Sequence, residues 1–192
     1  MDNNLRDKIW ITCKTRMVSE RRYRTYDTAS HLFLTYMSVL MIAVSLFSDQ
    51  IRSEIPYFDK VAIAIAVALF ATTLVVSGFK FSDAANKHRE CYLKLQYLDE
   101  NFDTVADVAK KYNEILLNYP NHAQRDYETL VLNRTLFSSR NMKIGDEEIT
   151  WSVWMLVGKL IRFAGFASLI IALPLSVTIL FVTSILRHIE FL

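Results

Sequence analysis

Two long apolar runs without a charged residue dominate the first half of the chain, Leu32–Phe47 and Val61–Phe79. A bilayer core about 30 Å thick needs about 20 helical residues, and the second run alone has about 19. Neither run keeps the polar stripe that helices in a soluble core usually show. The pattern therefore predicts a transmembrane helical hairpin, and a soluble hairpin of core helices is the alternative.

A third uncharged run, Phe163–Leu186, is long enough to cross a bilayer with some tilt. Pro174 lies near its centre and predicts a kink, which is either a packing feature or a gating hinge. Tryptophans and basic residues precede the run, a combination typical of an anchor at the membrane interface. The predicted anchors are Trp151, Trp154, Lys159 and Arg162.

Basic residues concentrate before the first run and directly after the second. The link between the two runs, Ser48–Lys60, has fewer cations. The positive-inside rule therefore places the N-terminus and the region after Phe79 in the cytoplasm, and the C-terminus outside. The formal net charge is only +2, and no aromatic residues interleave with the N-terminal basic ones. Direct binding of nucleic acid is accordingly not expected.

The basic N-terminal segment is predicted to be a helix, because no glycine or proline occurs before Pro56. The helix is expected to begin near Asn4 and to pass into the membrane near Ser30 without a break. An apolar stripe with a spacing of four residues runs along it, formed by Leu5, Ile9, Cys13 and Met17. The basic face is either solvated and sets the topology, or it contacts anionic lipid head groups or RNA.

After the second run, apolar positions alternate at spacings of four and three, which is typical of the seam of a left-handed coiled coil. The seam residues are Cys91, Leu95, Leu98, Phe102, Val105, Ala109, Tyr112 and Leu116. We expect one continuous helix from Val61 to Asn118. The seam packs within the chain, or between chains as an oligomeric stalk, and the two interpretations are compatible.

Pro120 is expected to end this helix, and a further helix is predicted from Ala123 to Arg140. Its inward-facing residues would be Tyr127, Leu130, Val131 and Phe137. Asn141–Glu148 is predicted to be a loop around Gly145.

The pattern thus predicts an all-α integral membrane protein. Its long antiparallel helical hairpin would span membrane and cytoplasm, and a third transmembrane helix would follow. The expected segments are a basic cytoplasmic helix (1–29), a transmembrane hairpin (30–79), a cytoplasmic helical region (80–145) and an interfacial segment with the third span (146–192).

Reactive chemistry is sparse in this sequence. The four histidines are scattered, the two cysteines are expected to be free thiols, and no phosphate-binding loop or nucleophile motif occurs. We predict no catalytic residues, no metal site and no cofactor, and hence no enzyme. Because the predicted spans contain no Asp, Glu, Lys or Arg, a small transporter is disfavoured.

Small and hydroxylated residues recur on single faces of the first two spans. They are Ser38 and Ser45 on the first, and Ala64, Ala68 and Thr72 on the second. Such faces allow helices to pack closely, or they line a water-filled path in an oligomer. A pore would require several copies of the chain.

Three short stretches carry a resemblance to a known family: Lys87–Gln96, Tyr112–Leu116 and Pro120–Glu128. They follow a basic helix and a short transmembrane hairpin. Over roughly residues 5–140 the chain resembles the SLATT domain, a bacterial two-transmembrane effector domain. The resemblance implies a pore that depolarises the membrane of an infected cell, with no catalytic residues. It also implies a sensor partner, either a nucleotide-signalling or a reverse-transcriptase module.

Together these observations predict a pore-forming effector of antiviral defence (abortive infection), acting as a homo-oligomer in the lipid bilayer of the bacterial inner membrane. The first alternative is a membrane anchor that docks a separate cytoplasmic enzyme, such as a nucleotide cyclase or a reverse transcriptase. The second alternative is a small transporter.

Overall fold

The computed structural model describes residues 3–52, 57–137, 142–145 and 147–190. The described residues are predominantly helical. The elements in chain order are α1 (Asn3–Leu46), α2 (Ser48–Arg52), α3 (Phe58–Phe79), α4 (Phe81–Glu100), α5 (Val108–Asn118), α6 (Gln124–Phe137), β1 (Met142–Ile144), β2 (Glu147–Ile149), α7 (Val153–Ala167), a π-helical turn (Ser168–Ala172) and α8 (Leu173–Glu190). They form two compact units, which we call the core unit (Met1–Tyr26 and Phe81–Arg162) and the span unit (Asp27–Lys80 and Phe163–Leu192).

In the core unit, one face of α1 packs against α4. Ile9 and Cys13 lie in one apolar cluster with Cys91, Leu95 and Leu98, and each of the five is at most 4% exposed. Each isoleucine or leucine side chain among them contributes roughly 1.5–3 kcal/mol when it is fully buried. Partly buried residues complete the cluster: Leu5, Met17, Tyr92, Val105, Val108, Tyr112, Ile115 and Tyr119. The predicted N-terminal helix and its apolar stripe are therefore confirmed.

A second face of α1 packs against a different set of elements. Ile11 joins Leu130 and Val131 of α6 and Met142 of β1 in a separate apolar cluster. Because two of its faces are covered, α1 is the central helix of the core unit. The stripe of four-residue spacing predicted the first face and missed the second.

The prediction of one continuous helix from Val61 to Asn118 is wrong. The helix is interrupted at Lys80, whose backbone is left-handed (φ 46°, ψ 50°), and again between Glu100 and Val108. At the second break, side chains bond to the backbone and compete with helical hydrogen bonds. The Asn101 amide donates to the Tyr97 carbonyl over 2.8 Å, and Asp107 caps α5 by accepting from the Lys110 N–H over 3.2 Å.

Further along the chain, α6 agrees with the predicted helix in its described residues, and Tyr127, Leu130 and Val131 face the core as expected. The predicted endpoint, Arg140, lies outside the described residues, and the packing of Phe137 is not described. The predicted loop 141–148 instead contains an antiparallel hairpin, with Met142 opposite Ile149. Gly145 at its turn has a φ of 61°, which glycine adopts without steric cost, and its N–H donates to Asp7 over 3.0 Å.

In the span unit, α2 and α8 pack together and α2 also contacts α3. Met37, Leu40 and Ile51 are its most buried apolar residues. The Tyr36 and Thr178 hydroxyls are hydrogen-bonded, and Arg52 pairs with Asp59 over 2.9 Å. Pro56, in the link between the first two apolar runs, lies outside the described residues.

The third apolar run is helical from Val153 to Glu190, with a π-helical turn at Ser168–Ala172. Proline has no N–H to donate to the preceding turn, so Pro174 gives a physical reason for this irregularity. The helix begins at Val153, ten residues before the predicted start of the span at Phe163. Its first part, α7, therefore includes part of the segment that was predicted to lie at the interface.

Candidate functional site

Polar side chains are buried at one level of α1 in the core unit. Arg16 and Ser19 are at most 1% exposed, and they meet His88 from α4 and Asp126 from α6, which are at most 2% exposed. Two partly buried neighbours, Arg22 and His122, complete what we call the arginine cluster. Its members are Arg16, Ser19, Arg22, His88, His122 and Asp126.

Local structure explains how these residues meet. Arg16, Ser19 and Arg22 are spaced by three residues and therefore share one side of α1. Asp126 lies in the first turn of α6, directly after the turn that contains Pro120. His88 lies one turn before Cys91, so the packing of α4 on α1 brings its ring to the same level.

Asp126 is the anionic centre of the cluster. Its carboxylate accepts from Arg22 Nε and Nη2 over 2.7 and 2.9 Å, and from the Ser19 hydroxyl over 2.7 Å. Burial alone would raise the pKa of Asp126, but the hydrogen bonds from Arg22 and Ser19 hold it below its usual value. The same hydrogen bonding keeps the pKa of Arg22 raised although burial opposes it. The pair is a desolvated, bidentate ion pair.

Arg16 differs because none of the described carboxylates pairs with it. Its Nη1 donates to the Pro120 carbonyl oxygen and lies 3.4 Å from His88 Nδ1. Burial lowers the pKa of Arg16. A guanidinium without a counter-ion is therefore held inside the core unit, which is costly unless another group compensates it.

Both histidines are kept neutral in this surrounding. Burial, with Arg16 as the next cause, lowers the pKa of His88 to about 4 and also lowers the pKa of His122. The His88 ring stacks on Tyr23 at 5.5 Å between centroids. Its Nδ1 is consequently an acceptor that faces Arg16, since a protonated ring would repel the guanidinium.

We expect the stability of the core unit to fall as the pH drops from about 6.5 to about 4. In this window His88 binds a proton in the unfolded chain but not in the folded one, and the difference amounts to roughly 3 kcal/mol. Asp126 acts separately at lower pH, because its folded pKa is depressed. Thermal unfolding followed against pH should show a flatter profile for His88→Gln than for the wild type. Identical profiles between pH 4 and 6.5 would contradict the assignment.

Sequence reasoning missed this cluster because it treated the N-terminal cations as one surface. The solvated or lipid-contacting interpretation is wrong for Arg16 and Arg22, whose side chains are turned into the core unit. A signal was nevertheless present. The stretches Lys87–Gln96 and Pro120–Glu128, which carried the family resemblance, contain His88, His122 and Asp126.

The predicted seam residues divide into two groups. Cys91, Leu95, Leu98 and Phe102 are buried in the core unit, and Val105 and Tyr112 pack against them. Ala109 is exposed and Leu116 is half-buried. The structure therefore brings the first part of the seam together with α1 of the same chain, while packing between copies stays a prediction.

The predicted pore-lining or close-packing residues are exposed in the span unit: Ser38, Ser45, Ala64, Ala68 and Thr72. The hydroxyls of Ser38 and Thr72 donate to the carbonyls of Leu34 and Ala68, four residues earlier, over 2.7 and 2.8 Å. These bonds satisfy the hydroxyl protons without a neighbouring helix. Their oxygens remain able to accept from water or from a second helix.

The predicted interface anchors differ in exposure. Trp154 is 81% exposed and Trp151 is 39% exposed. The two cations instead contact α6, since Lys159 donates to Asn133 over 2.9 Å and Arg162 pairs with Glu128 over 3.3 Å. These contacts hold the middle of α7 against α6, so the aromatic residues are the better candidates for contact with lipid.

The remaining candidates for chemistry are metal ligands and the two cysteines. Among the described residues, no group of three or more His, Cys, Asp or Glu side chains is placed to hold a metal ion. Cys13 and Cys91 are free and buried, and burial raises the pKa of Cys13 to about 11. Burial likewise raises the pKa of Cys91, so neither thiol is reactive at neutral pH.

Among the described residues, three helical stretches are long and apolar enough to cross a membrane: Asn4–Leu46, Phe58–Glu100, which joins α3 and α4 across the break at Lys80, and Val153–Thr183. The fold therefore defines an α-helical membrane protein. The model of the SMODS and SLOG-associating 2TM effector domain family 5 matches residues 1–180, and the chain belongs to this SLATT family. The resemblance seen in the sequence is confirmed. No curated protein and no solved structure matches the chain.

Membership makes the chain a membrane effector of defence systems. The family is a membrane-spanning helical domain and not a known catalytic fold. It is described as a two-transmembrane domain, whereas this chain has three candidate spans. The match extends to residue 180, so most of the third candidate span falls within the matched region.

Proposed function

We propose that this effector acts by forming an oligomeric pore that depolarises the membrane. The observation that carries the proposal is the exposure of an uncharged helix. From Val61 to Phe79, α3 has no charged residue, and none of its described residues is buried. A transmembrane helix with this composition needs lipid or other helices around it. The exposed stripe of Ala64, Ala68 and Thr72 allows close approach of a second copy.

The orientation we propose follows from charge. Lys and Arg are abundant before the first span and after the second, which favours a cytoplasmic N-terminus and an extracytoplasmic C-terminus in a bacterial inner membrane. The proposed partners are further copies of the chain and a sensor of the defence system, either a nucleotide-signalling or a reverse-transcriptase module. A direct nucleic-acid partner is not part of the proposal.

Membrane potential is the quantity that tests the proposal. Bacteria that express the full chain from an inducible promoter should lose the signal of a potential-sensitive dye after induction. A chain truncated at Ser30, which lacks the three apolar runs, should leave the signal unchanged. If the truncated chain depolarises equally, or the full chain never does so under any trigger, a pore is the wrong mechanism.

Two adjacent threonines of α3 provide a matched pair for locating the water path. Thr72 and Thr73 are both exposed, and each donates to a carbonyl four residues earlier, over 2.8 and 2.9 Å. Only Thr72 continues the stripe of Ala64 and Ala68. A charged, membrane-impermeant thiol reagent should abolish most of the depolarisation by Thr72→Cys and little of that by Thr73→Cys.

The background in this labelling experiment should be low, because both native cysteines are buried with raised pKa values. If the reagent reduces depolarisation equally in both cysteine variants, neither the Thr72 face nor the Thr73 face of α3 would be the preferred lining of the water path. Absence of block at both positions would indicate that the α3 stripe serves close packing of helices.

A second function, a membrane anchor for a separate cytoplasmic enzyme, is favoured by one feature of the core unit. A groove of about 500 Å³ lies between α4 and α5, with Leu93, Tyr97 and Tyr119 among its lining residues. Leu93 is 48% and Tyr97 is 65% exposed. Crosslinking in cells discriminates the two functions, because an anchor predicts a hetero-complex with a monomeric membrane part.

A further inference from the structure

Positive charge exceeds negative charge around the arginine cluster. Arg125, which precedes Asp126 on α6, extends the cluster at its outer side. The guanidinium groups of Arg22 and Arg125 lie 5.6 and 6.0 Å from the same aromatic ring, that of Tyr26. Arg16 lies further into the core unit, beside His88, and among the described carboxylates only Asp126 bonds to any of these three arginines.

Several polar groups of the cluster also lack a hydrogen-bond partner among the described residues. Four buried side-chain nitrogens have no partner among the described residues, namely Arg16 Nε, Arg22 Nη1, Arg125 Nε and His122 Nδ1. Three of them are guanidinium N–H donors. Buried donors are paired in nearly all folded proteins, so several unpaired donors in one cluster need a specific explanation. Donors that belong to cations are satisfied best by an anion with several acceptor oxygens.

The members of the cluster differ in their exposure to solvent. Arg16 is 1% exposed, but Arg22, His122 and Arg125 are only partly buried. Arg22, His122 and Arg125 are therefore the members that are accessible to a ligand from solvent, whereas Arg16 is enclosed. This difference in exposure is suited to a ligand in which a compact anionic group is attached to a larger molecule.

We propose that the arginine cluster, together with Arg125, binds a phosphate group. A phosphate offers acceptor oxygens that match the planar N–H fork of arginine, and its charge compensates the excess of cations. Asp126 already accepts three hydrogen bonds from Arg22 and Ser19, so it holds Arg22 in place. The unpaired donors of the arginines remain for the ligand. The phosphate belongs to a soluble phosphorylated compound or to the head group of an anionic lipid.

Binding can be measured on the full-length chain in maltoside micelles, which contain no phosphate. Inorganic phosphate should raise the Tm in a saturable manner, by roughly 5 °C or more at saturation. Sodium chloride and sodium nitrate at matched ionic strength should not. Micelles doped with phosphatidic acid, compared with micelles doped with oleate at equal negative charge, test the lipid as the source of the phosphate.

A matched pair of variants on α6 makes the test specific. Arg125→Gln removes one guanidinium of the proposed site, whereas Arg134→Gln removes one outside it. The guanidinium of Arg134 likewise lies over an aromatic ring, 4.9 Å from Trp10, so both variants lose a comparable contact. We expect the Tm shift to be lost in Arg125→Gln and retained in Arg134→Gln. Both positions are partly exposed, which allows both variants to fold.

Each possible result either supports or overturns the proposed phosphate site. A shift with inorganic phosphate that depends on Arg125 supports a soluble ligand. A shift with phosphatidic acid alone that depends on Arg125 supports a lipid head group. Equal shifts in both variants, equal shifts with chloride or oleate, or no shift with either source would overturn the site. The measurement involves no ion conduction, so its outcome is independent of the pore.

Discussion

Replacing Asp126 by alanine is expected to destabilise the core unit by about 3–5 kcal/mol, since removal of one partner leaves a buried charge uncompensated. The carboxylate is 2% exposed and accepts three hydrogen bonds, from Arg22 and Ser19. Without it, Arg22 and Arg16 would be two guanidinium groups in a desolvated surrounding. Thermal unfolding of the purified chain in detergent should show a Tm lower by roughly 10 °C.

Glu128→Gln is the matched control for this variant. Glu128 lies on the same helix and also pairs with an arginine, but Arg162 is 41% exposed and the two side chains are 3.3 Å apart. Partly exposed pairs of this kind contribute about 0–1 kcal/mol. A Tm for Asp126→Ala as high as that for Glu128→Gln would show that the arginine cluster does not stabilise the core unit.

The long elements were predictable because local rules decide them. The absence of glycine and proline and the four-residue spacing of Leu5, Ile9, Cys13 and Met17 were enough to predict α1. The uncharged runs likewise predicted the three long apolar helices. The breaks at Lys80 and Asp107 were not predictable in this way. Neither residue breaks a helix by composition, and both take left-handed backbone angles that become visible only in the structure.

The arginine cluster was hidden for a different reason. Arg22 and Asp126 are 104 residues apart in the chain, so no local pattern marks them as an ion pair. A basic helix also has an ordinary explanation as a solvated, topology-setting surface. What distinguishes Arg16 and Arg22 is the second apolar face of α1, around Ile11, which turns this side of the helix toward α6.

The third apolar helix changes how the two-transmembrane description of the family applies to this chain. Pro174 is buried, and Val177, Leu180 and Phe181 line an apolar pocket with residues of α1, α2 and α3 in the span unit. The ring of Phe181 also contacts Phe47 at 6.1 Å between centroids. The third apolar helix therefore packs on the first two candidate spans within the same chain.

Introducing aspartate at both Leu98 and Phe102 is expected to unfold the core unit, whatever the oligomeric state. The two residues are 2% and 8% exposed and belong to the cluster around Ile9 and Cys13. Burying two carboxylates there without partners costs more than the total stability of many small domains. The variant should lose the near-ultraviolet circular dichroism of the folded chain and become sensitive to protease, so a change in its mass would not by itself indicate an oligomer interface.

The informative comparison is Leu93→Asp with Tyr97→Asp, a pair on α4 with the same spacing of four residues. These side chains are 48% and 65% exposed in the groove between α4 and α5, so the core unit should stay folded. If copies assemble through α4, native mass spectrometry should show a smaller complex for this exposed pair at unchanged Tm. A full-size complex would show that assembly does not use the groove.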